Sequence, residues 1–562
     1  MELTCLFYAL HTPAYQTMSV LKARLKARIA PHLHLRVPFK SGKYGSRWSN
    51  KDLDPIPPEQ RTWGGLDFWA YWCSDMLAPP LASTVSSVMA LGFTARETIP
   101  IVFFGFAICS VVITLTGKMG ATYAVSFPVI VRSVFGMYGS FPAICIRAFV
   151  AMMWAAILTV QASNFLQRCI EAIWPSFITF PNHLSESAGI DSAGLLCLFL
   201  YWFLQTGLVL MPIQKLRVLF WIKSIVVPPT FLALFIWAVV ITKGGGPLIK
   251  GEVKITSTYM NTVYSVLTGL NAVIGLFSSL SVNMPDFGRF SKNQLAGYHQ
   301  FLALPIIGTL GALTPIFVTD AHSYLWGSFE WYMPSVIAKF DSRAAKFFVS
   351  ASFLLATIAN QIAADTYPFS NDITGMLPKY INIFRATIFI SIFCIASTPW
   401  NIIKNASGLL AFLSGYSCLM GPLAGTMISD YYLVKKSKLD VDQLYTSYGI
   451  YWYNGGWNWR AYASFITGFA PLLPGFAKSI DNSLDIGGAW KIYTFAWLYG
   501  FSTSLVTHYI ICTYISVPTA SLVEFAVYPP QKEGIDTPVL EGEEVSTMET
   551  PVAKAKEVAE LV

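Results

Sequence analysis

Few residues in this chain could do chemistry in the enzymatic sense. The seven histidines, at positions 11, 32, 34, 183, 299, 322 and 508, do not fall at metal-ligand spacing. HExxH pairs, GxSxG elbows and paired-aspartate metal motifs do not occur. The nine cysteines form no CxxC pair, and most lie in apolar runs (Cys109, Cys145, Cys197, Cys394, Cys418, Cys512), as small buried hydrophobes do. The expectation is therefore no metal, no cofactor and no enzyme. What stands out instead is an acid inside an apolar run. Asp75 lies in WAYWCSDMLAPPLASTVSSVMALG, four residues ahead of Pro79 and Pro80. Adjacent prolines remove two backbone donors and clash with the preceding turn, so a helix here should break near Ala78. A carboxylate at such a break could couple protons, or could accept hydrogen bonds from amides freed where water is absent. A second apolar run, NAVIGLFSSLSVNMPD, carries Gly275 and a string of serines that loosen a helix.

The elements that hold these residues are set by composition. Hydrophobic residues make up 54% of the 562, charged residues 12%, and mean hydropathy is +0.51. Too few charges exist to cover a soluble surface of this size, so lipid is the solvent for most of it. The net charge of +7 does not indicate nucleic acid, because the basic residues sit in short segments between apolar runs. Apolar stretches long enough to cross a bilayer recur about twelve times. They fall at 66–92, 97–116, 139–164, 194–213, 217–242, 260–283, 299–320, 344–366, 383–399, 404–432, 460–480 and 489–515. The runs are continuous rather than alternating, which predicts helices and not a barrel. Short helices could hide at 320–343. The fold expected is an all-α polytopic membrane protein of about twelve transmembrane helices.

Lys and Arg concentrate on the side that carries the N-terminus, which puts both termini in the cytoplasm. Residues 1–65 read as a basic cytoplasmic tail, 66–515 as the transmembrane domain and 516–562 as an acidic, largely disordered cytoplasmic tail. No signal peptide is evident, and Met18 competes with Met1 as the start. The tails offer contacts for trafficking machinery. The two breaks fall in spans 1 and 6, five spans apart. Secondary transporters built from inverted repeats place substrate and ion at such paired interruptions; a kink without a ligand is the plainer reading of either one alone.

Six strings, in order, carry a family resemblance. They are NKDLDPIPPEQRTWG before span 1, SFPVIVRSVFGMYG before span 3, VNMPDFGRF after span 6 and NDITGMLPKYINIFR after span 8. TPWNIIKNASGLLAFLSGYSCLMGPLAG with SDYYLVKKSKLDVDQLY covers span 10, and YWYNGGWNWRAYASFITGFAPLLPGFAKSI leads through span 11. Over residues 48–514 the chain resembles the nucleobase–cation symporter-1 family, in its fungal uracil/uridine/allantoin permease branch. The resemblance implies a leucine-transporter-like fold of two inverted five-helix repeats plus two helices. It also implies plasma-membrane import of a small planar heterocycle by alternating access, coupled to protons or sodium.

The family places a Trp and, four residues on, a Gln toward the substrate in span 3. Here the Trp is Trp154, but Leu158 stands where the Gln would be, and Gln161 follows on the same helix face. An indole face stacks on a flat ring, and an amide both donates and accepts at its edge. Phe277 takes the place of the family's span 6 aromatic, so a planar ligand between Trp154 and Phe277 is expected. Aligning span 8 places Gln361 and Asp365 at the family's two Asn positions, and a one-residue shift brings in Asn360. An ionisable Asp365 inside the membrane is a functional candidate for a proton, a cation or a cationic substrate, unless it meets water or a base at the helix end. The family's sodium site uses hydroxyls in span 8, whereas 356–360 offers only Thr357, which favours protons over sodium. Asp286 and Arg289 after span 6, with Arg132, could form an inner gate or a cap of solvated charges. Leu158 and Asp365 motivate an alternative substrate of the vitamin type, such as thiamine, nicotinamide riboside or a pyridoxine-like compound. A membrane receptor that binds without translocating is a further alternative.

Overall fold

In the computed structural model, residues 46–50, 52–211, 213–251, 262–377, 380–481 and 483–529 are described, and their regular structure is helical. Sheet pairing among them is limited to isolated bridges, Trp63 with Ser291, Asp440 with Val527 and Asn454 with Trp457. Helices satisfy their own backbone groups, the condition for crossing lipid. The two tails expected from the sequence lie mostly outside the described residues.

Span 1 is two helices, α1 (Gly65–Met76) and α2 (Pro79–Met89). Between them Ala78 is extended at φ −152° and ψ 160°, as the proline pair dictates. α3 (Ala95–Tyr123) and the short α4 (Phe127–Phe135) lead into α5 (Ser140–Ile173), α6 (Ser192–Val209) and α7 (Ile213–Ile241). Span 6 begins as α8 (Thr262–Ser278) and continues through single turns at Leu280–Asn283 and Pro285–Gly288. This differs from the expected loosening at Gly275: the helix runs past it and gives way at Ser279, whose backbone stays helical (φ −63°, ψ −45°). The interruption is a stack of short turns, since neither Gly nor Ser removes a donor as Pro does.

α9 (Gln300–Trp326) follows, and a short helix, α10 (Met333–Ala338), occupies the segment the sequence left ambiguous. Span 8 is α11 (Arg343–Asn360), a π turn at Gln361–Thr366, and α12 (Tyr367–Met376). α13 (Ile383–Ala396) and α14 (Ala406–Ile428) complete the first ten spans, α14 passing into a π turn at Ser429–Val434. α15 (Trp459–Phe469), α16 (Leu473–Ile480) and α17 (Ala496–Ile510) end the described helices. Several starts are fixed by side-chain caps: Asp191 accepts from the Gly194 amide at 2.7 Å, Asn382 from Arg385 at 2.9 Å and Asn405 from Gly408 at 2.7 Å.

Seven helical stretches among the described residues are long and apolar enough to span a bilayer. The other expected spans are divided, shorter or less apolar. Burial sorts the seven into inner and outer helices. The most apolar stretch of α5 is 72% buried and that of α14 78%, against 22% for α7. α7 turns Trp221, Ile222 and Ile225 outward, as a lipid-facing helix does. α5 packs on α11 and α6, α14 on α17 and α8, so each of the two buried helices meets one interrupted span.

Candidate functional site

The break in span 1 frees a carbonyl whose fate can be traced. In a continuous helix the Asp75 carbonyl would accept from residue 79, but Pro79 has no N–H. Asn360, at the end of α11, supplies the missing donor: its Nδ2 lies 3.0 Å from the Asp75 carbonyl. Its Oδ1 in turn accepts from the Lys223 ammonium of α7 at 2.5 Å. Spans 1, 5 and 8 are thus tied by one amide with a buried lysine behind it. A cavity of about 140 Å³ opens beside Lys223, lined also by Cys73, Ser74 and Leu77 of span 1. The Asp75 carboxylate is buried and accepts from no backbone amide among the described residues, so it does not brace the break as one reading had it; the charge it faces is Lys223.

Trp154 is buried near the middle of α5, and its Nε1 donates to the Tyr416 hydroxyl of α14 at 3.1 Å. Tyr416 passes a short hydrogen bond on to the carbonyl of Gly275, next to the interruption of span 6. Phe412, one turn before Tyr416, meets the indole edge-on at 5.6 Å. Leu158 and Gln161 continue the same face of α5 and are buried. Gln161 donates to Ser83 of α2 at 3.2 Å, while its Oε1 has no partner. Phe277 does not touch the indole; it packs edge-on against Trp72 at 5.5 Å and on Phe106 at 5.8 Å.

Gln361 and Asp365 part company. Gln361 turns to a different face of α5, where it donates to the Ala155 carbonyl and to Thr159, both at 2.8 Å, and accepts from Tyr201 at 2.7 Å. Its amide is fully engaged between helices and does not meet the Trp154 face. Asp365 accepts no hydrogen bond among the described residues, and the charges and hydroxyls it interacts with electrostatically are Asp75, Arg147, Tyr71 and Tyr416. The two lie four residues apart in a π turn and both neighbour Cys394, but their other partners come from different helices.

The expected gate residues are also redistributed. Arg132 stands apart from Asp286 and Arg289; its Nη1 donates to the carbonyls of Trp48 at 3.0 Å and Leu444 at 3.1 Å, strapping the N-terminal segment to the loop after span 10. Burial pulls its guanidinium down to about 10, against the upward pull of Tyr445 and Asp54. Arg289 donates to the carbonyls of Asp286 at 3.2 Å and Asp52 at 3.0 Å. Asp286 accepts from the Phe127 amide at 2.9 Å and from Asn371 of α12 at 3.4 Å. The fully buried ion pair here is one that sequence reasoning did not find, Arg147 of α5 with Asp372 of α12. Asn283, its amide oxygen facing Arg147, accepts from Nη2 and donates to Ser279 at 2.7 Å.

Lys223, Asn360, Arg147, Asp372 and Tyr416 are therefore the polar groups that sequence reasoning missed or left in doubt. Arg147 and Lys223 carry a legible signal, a charge within an apolar run. Among the described residues no group of three His, Cys, Asp or Glu side chains could hold a metal ion. The arrangement brings an indole, buried carboxylates and hydrogen bonds between helices together around the broken spans.

Residues 55–500 match the family model of permeases for cytosine/purines, uracil, thiamine and allantoin. An uncharacterized permease of Schizosaccharomyces pombe is 31% identical over 83% of this chain and 80% of its own length. The allantoin permease of Bacillus subtilis is 30% identical, over 86% of this chain and 97% of its own. Among solved structures, Mhp1, a nucleobase-cation-symport-1 family transporter in a closed conformation with bromovinylhydantoin bound, superimposes with a TM-score of 0.67. It covers 84% of this chain and 98% of Mhp1 at 19% identity. The fold is thus an all-helical transporter fold shared with Mhp1, as the resemblance implied. The chain belongs to the nucleobase–cation symporter-1 family of permeases for cytosine/purines, uracil, thiamine and allantoin, as an integral membrane transporter of small molecules and not an enzyme.

Proposed function

We propose that the protein imports a small planar heterocycle of the uracil, uridine or allantoin class across the plasma membrane, both termini cytoplasmic, by proton symport of the fungal branch. The ligand lies against the Trp154 indole, with Leu158 and Gln161 along one side and Phe277 across the site. Asp286, Arg289 and the Arg147–Asp372 pair close the inner end.

The observation that carries the coupling reading is Lys223, a buried ammonium joined through Asn360 to the carbonyl freed at the break of span 1. A sodium ion about 5 Å from that ammonium would be repelled by about 3 kcal/mol at an effective dielectric of about 20. The fixed ammonium already supplies the positive charge at the junction of spans 1 and 8. Asp75 and Lys223 balance each other, which leaves Asp365 as the buried acid able to take up a proton. Thr357, the lone hydroxyl of 356–360, is engaged with the Phe353 carbonyl at 2.6 Å, which further supports protons.

The test is uptake in a permease-deficient yeast, with radiolabelled uracil, uridine and allantoin competing against other bases and vitamins. Accumulation should persist when choline replaces sodium and collapse when a protonophore dissipates the proton gradient. Strict sodium dependence would overturn the coupling reading. The partnerless Asp365 carboxylate favours one second reading, a vitamin-type carrier of a cationic compound such as thiamine. Asp365→Asn separates the two: loss of a cationic substrate with neutral-base uptake intact speaks for the vitamin carrier, whereas loss of proton-driven accumulation of a neutral base speaks for the first.

A further inference from the structure

The hydroxyl of Tyr416 bridges the span 3 indole and the last turn of α8 before the span 6 interruption. It accepts from Trp154 Nε1 at 3.1 Å and donates to the Gly275 carbonyl. That carbonyl lies one turn before Ser279, where α8 gives way. The approach of α14 to the interruption is close: a Cβ on Gly275 would meet Ser417 Oγ at 3.0 Å and the Leu413 carbonyl at 3.2 Å. Phe412, on the same face as Tyr416, bounds the indole edge and also packs on the Tyr416 ring at 5.0 Å. The aromatic contacts restrict where the indole can sit, but only the hydrogen bond distinguishes its N–H edge from its other edges.

We infer that Tyr416 is a positioning residue for substrate recognition, its hydroxyl fixing the plane of the Trp154 indole relative to the span 6 interruption and so setting how a flat ligand is received. This rests on the reading above that Trp154 is the stacking platform. Tyr416→Phe keeps the ring, its volume and its packing on Phe412. It leaves the indole N–H and the Gly275 carbonyl buried without their shared partner, so both must find another arrangement. Because the platform turns with its N–H, the loss falls on ligand binding before it falls on turnover.

The experiment measures initial rates of uptake of whichever of uracil, uridine or allantoin the wild type accumulates. It compares wild type, Tyr416→Phe, Trp154→Phe and the double variant, each as a full-length fluorescent fusion quantified at the cell surface. Tyr416→Phe should raise KM about tenfold, the weight of one hydrogen bond, with maximal rate per surface molecule little changed. In the double variant the Tyr416→Phe effect should vanish, since no indole N–H remains to be oriented. A wild-type KM in Tyr416→Phe, or effects that simply add in the double variant, would overturn the inference while leaving the parent reading standing. If Tyr416→Phe is retained inside the cell, thermal-shift titration of the purified full chain with the same ligand decides. Reduced ligand stabilisation supports the inference, and wild-type stabilisation refutes it. A wild type that accumulates none of the three sinks the parent reading, and the inference with it.

Discussion

Asn360 links three helices because an amide is at once donor and acceptor, and the two ends of this one are used differently. Its donor replaces the N–H that Pro79 lacks, and its acceptor holds the Lys223 ammonium. Asn360→Ala leaves the Asp75 carbonyl and the ammonium buried without that partner, at a cost of about 1–3 kcal/mol for the neutral group and more for the charge. The purified variant should melt at a lower temperature than wild type, and uptake should fall at least tenfold. Lys223→Gln asks a different question, since glutamine still donates to Asn360 but carries no charge. Folding should be retained, while Asp75 loses the cation it faces and must be neutralised by another. Uptake by Lys223→Gln should therefore lose its dependence on the proton gradient, or acquire a dependence on sodium, measured as accumulation with and without protonophore and sodium. Accumulation that remains as proton-driven as wild type would remove Lys223 from coupling.

At the level of elements, what could be foreseen from the residues follows how local the cause is. Proline's missing N–H is a property of one residue, so the break at Ala78 is readable before any helix is placed, and the backbone there is extended as expected. Span 6 is less determined, because Gly275 and the serines permit a loosened helix without imposing one. Gln361 and Asp365 differ in their partners because those are supplied by different helices, which spacing along span 8 does not announce. Lys223 is visible as a charge within an apolar run, but its partners, like those of Asn360 and Tyr416, depend on which helices meet. Arg132 suffered the converse, a charge near the right end of the bundle with its partners elsewhere. The proline pair permits a test of whether the break itself is functional. Pro79 and Pro80 occupy the first turn of α2, where an absent N–H costs nothing. Replacing both by alanine restores two donors, lets α1 run into α2 and offers the Asp75 carbonyl an intrahelical partner in place of Asn360. The variant should be as thermally stable as wild type and transport at less than about a tenth of its rate, because a continuous rod in lipid has no spare carbonyl to present. Full activity with an unbroken helix would show that the interruption is a kink.

Across the whole molecule, the polar groups at the end of the bundle that bears the N-terminal segment form a network between helices, which the proposed alternating access requires to part. Arg147 and Asp372 join α5 to α12, while Asn283 and Asp286 come from the turns after α8. Trp63, just before α1, pairs its backbone with Phe290 and Lys292 at 2.9 Å, which ties the start of span 1 to the end of span 6. The network is incompletely satisfied: among the described residues, Arg147 Nε, Asp372 Oδ1, Asp286 Oδ2 and Asn371 Oδ1 are buried with no hydrogen-bond partner. Unmet groups in a low-dielectric interior make a network that can change partners at modest cost, as a gate requires and a permanent brace does not. Arg147→Met strands Asp372 as a buried charge and should destabilise the protein by about 3–5 kcal/mol. Adding Asp372→Asn removes that charge, so the double variant should recover most of the thermal stability. Transport should not recover with it, because Asn283 then has no arginine to hold and the inner end no longer closes against the stack of turns. The measurement is thermal melting and net accumulation of the three proteins side by side, with efflux from preloaded cells as the third readout. Efflux faster than wild type in the double variant is expected of a catch that fails to close. Recovery of both stability and accumulation would reduce the pair to a structural brace and move the gate to Asp286 and Arg289.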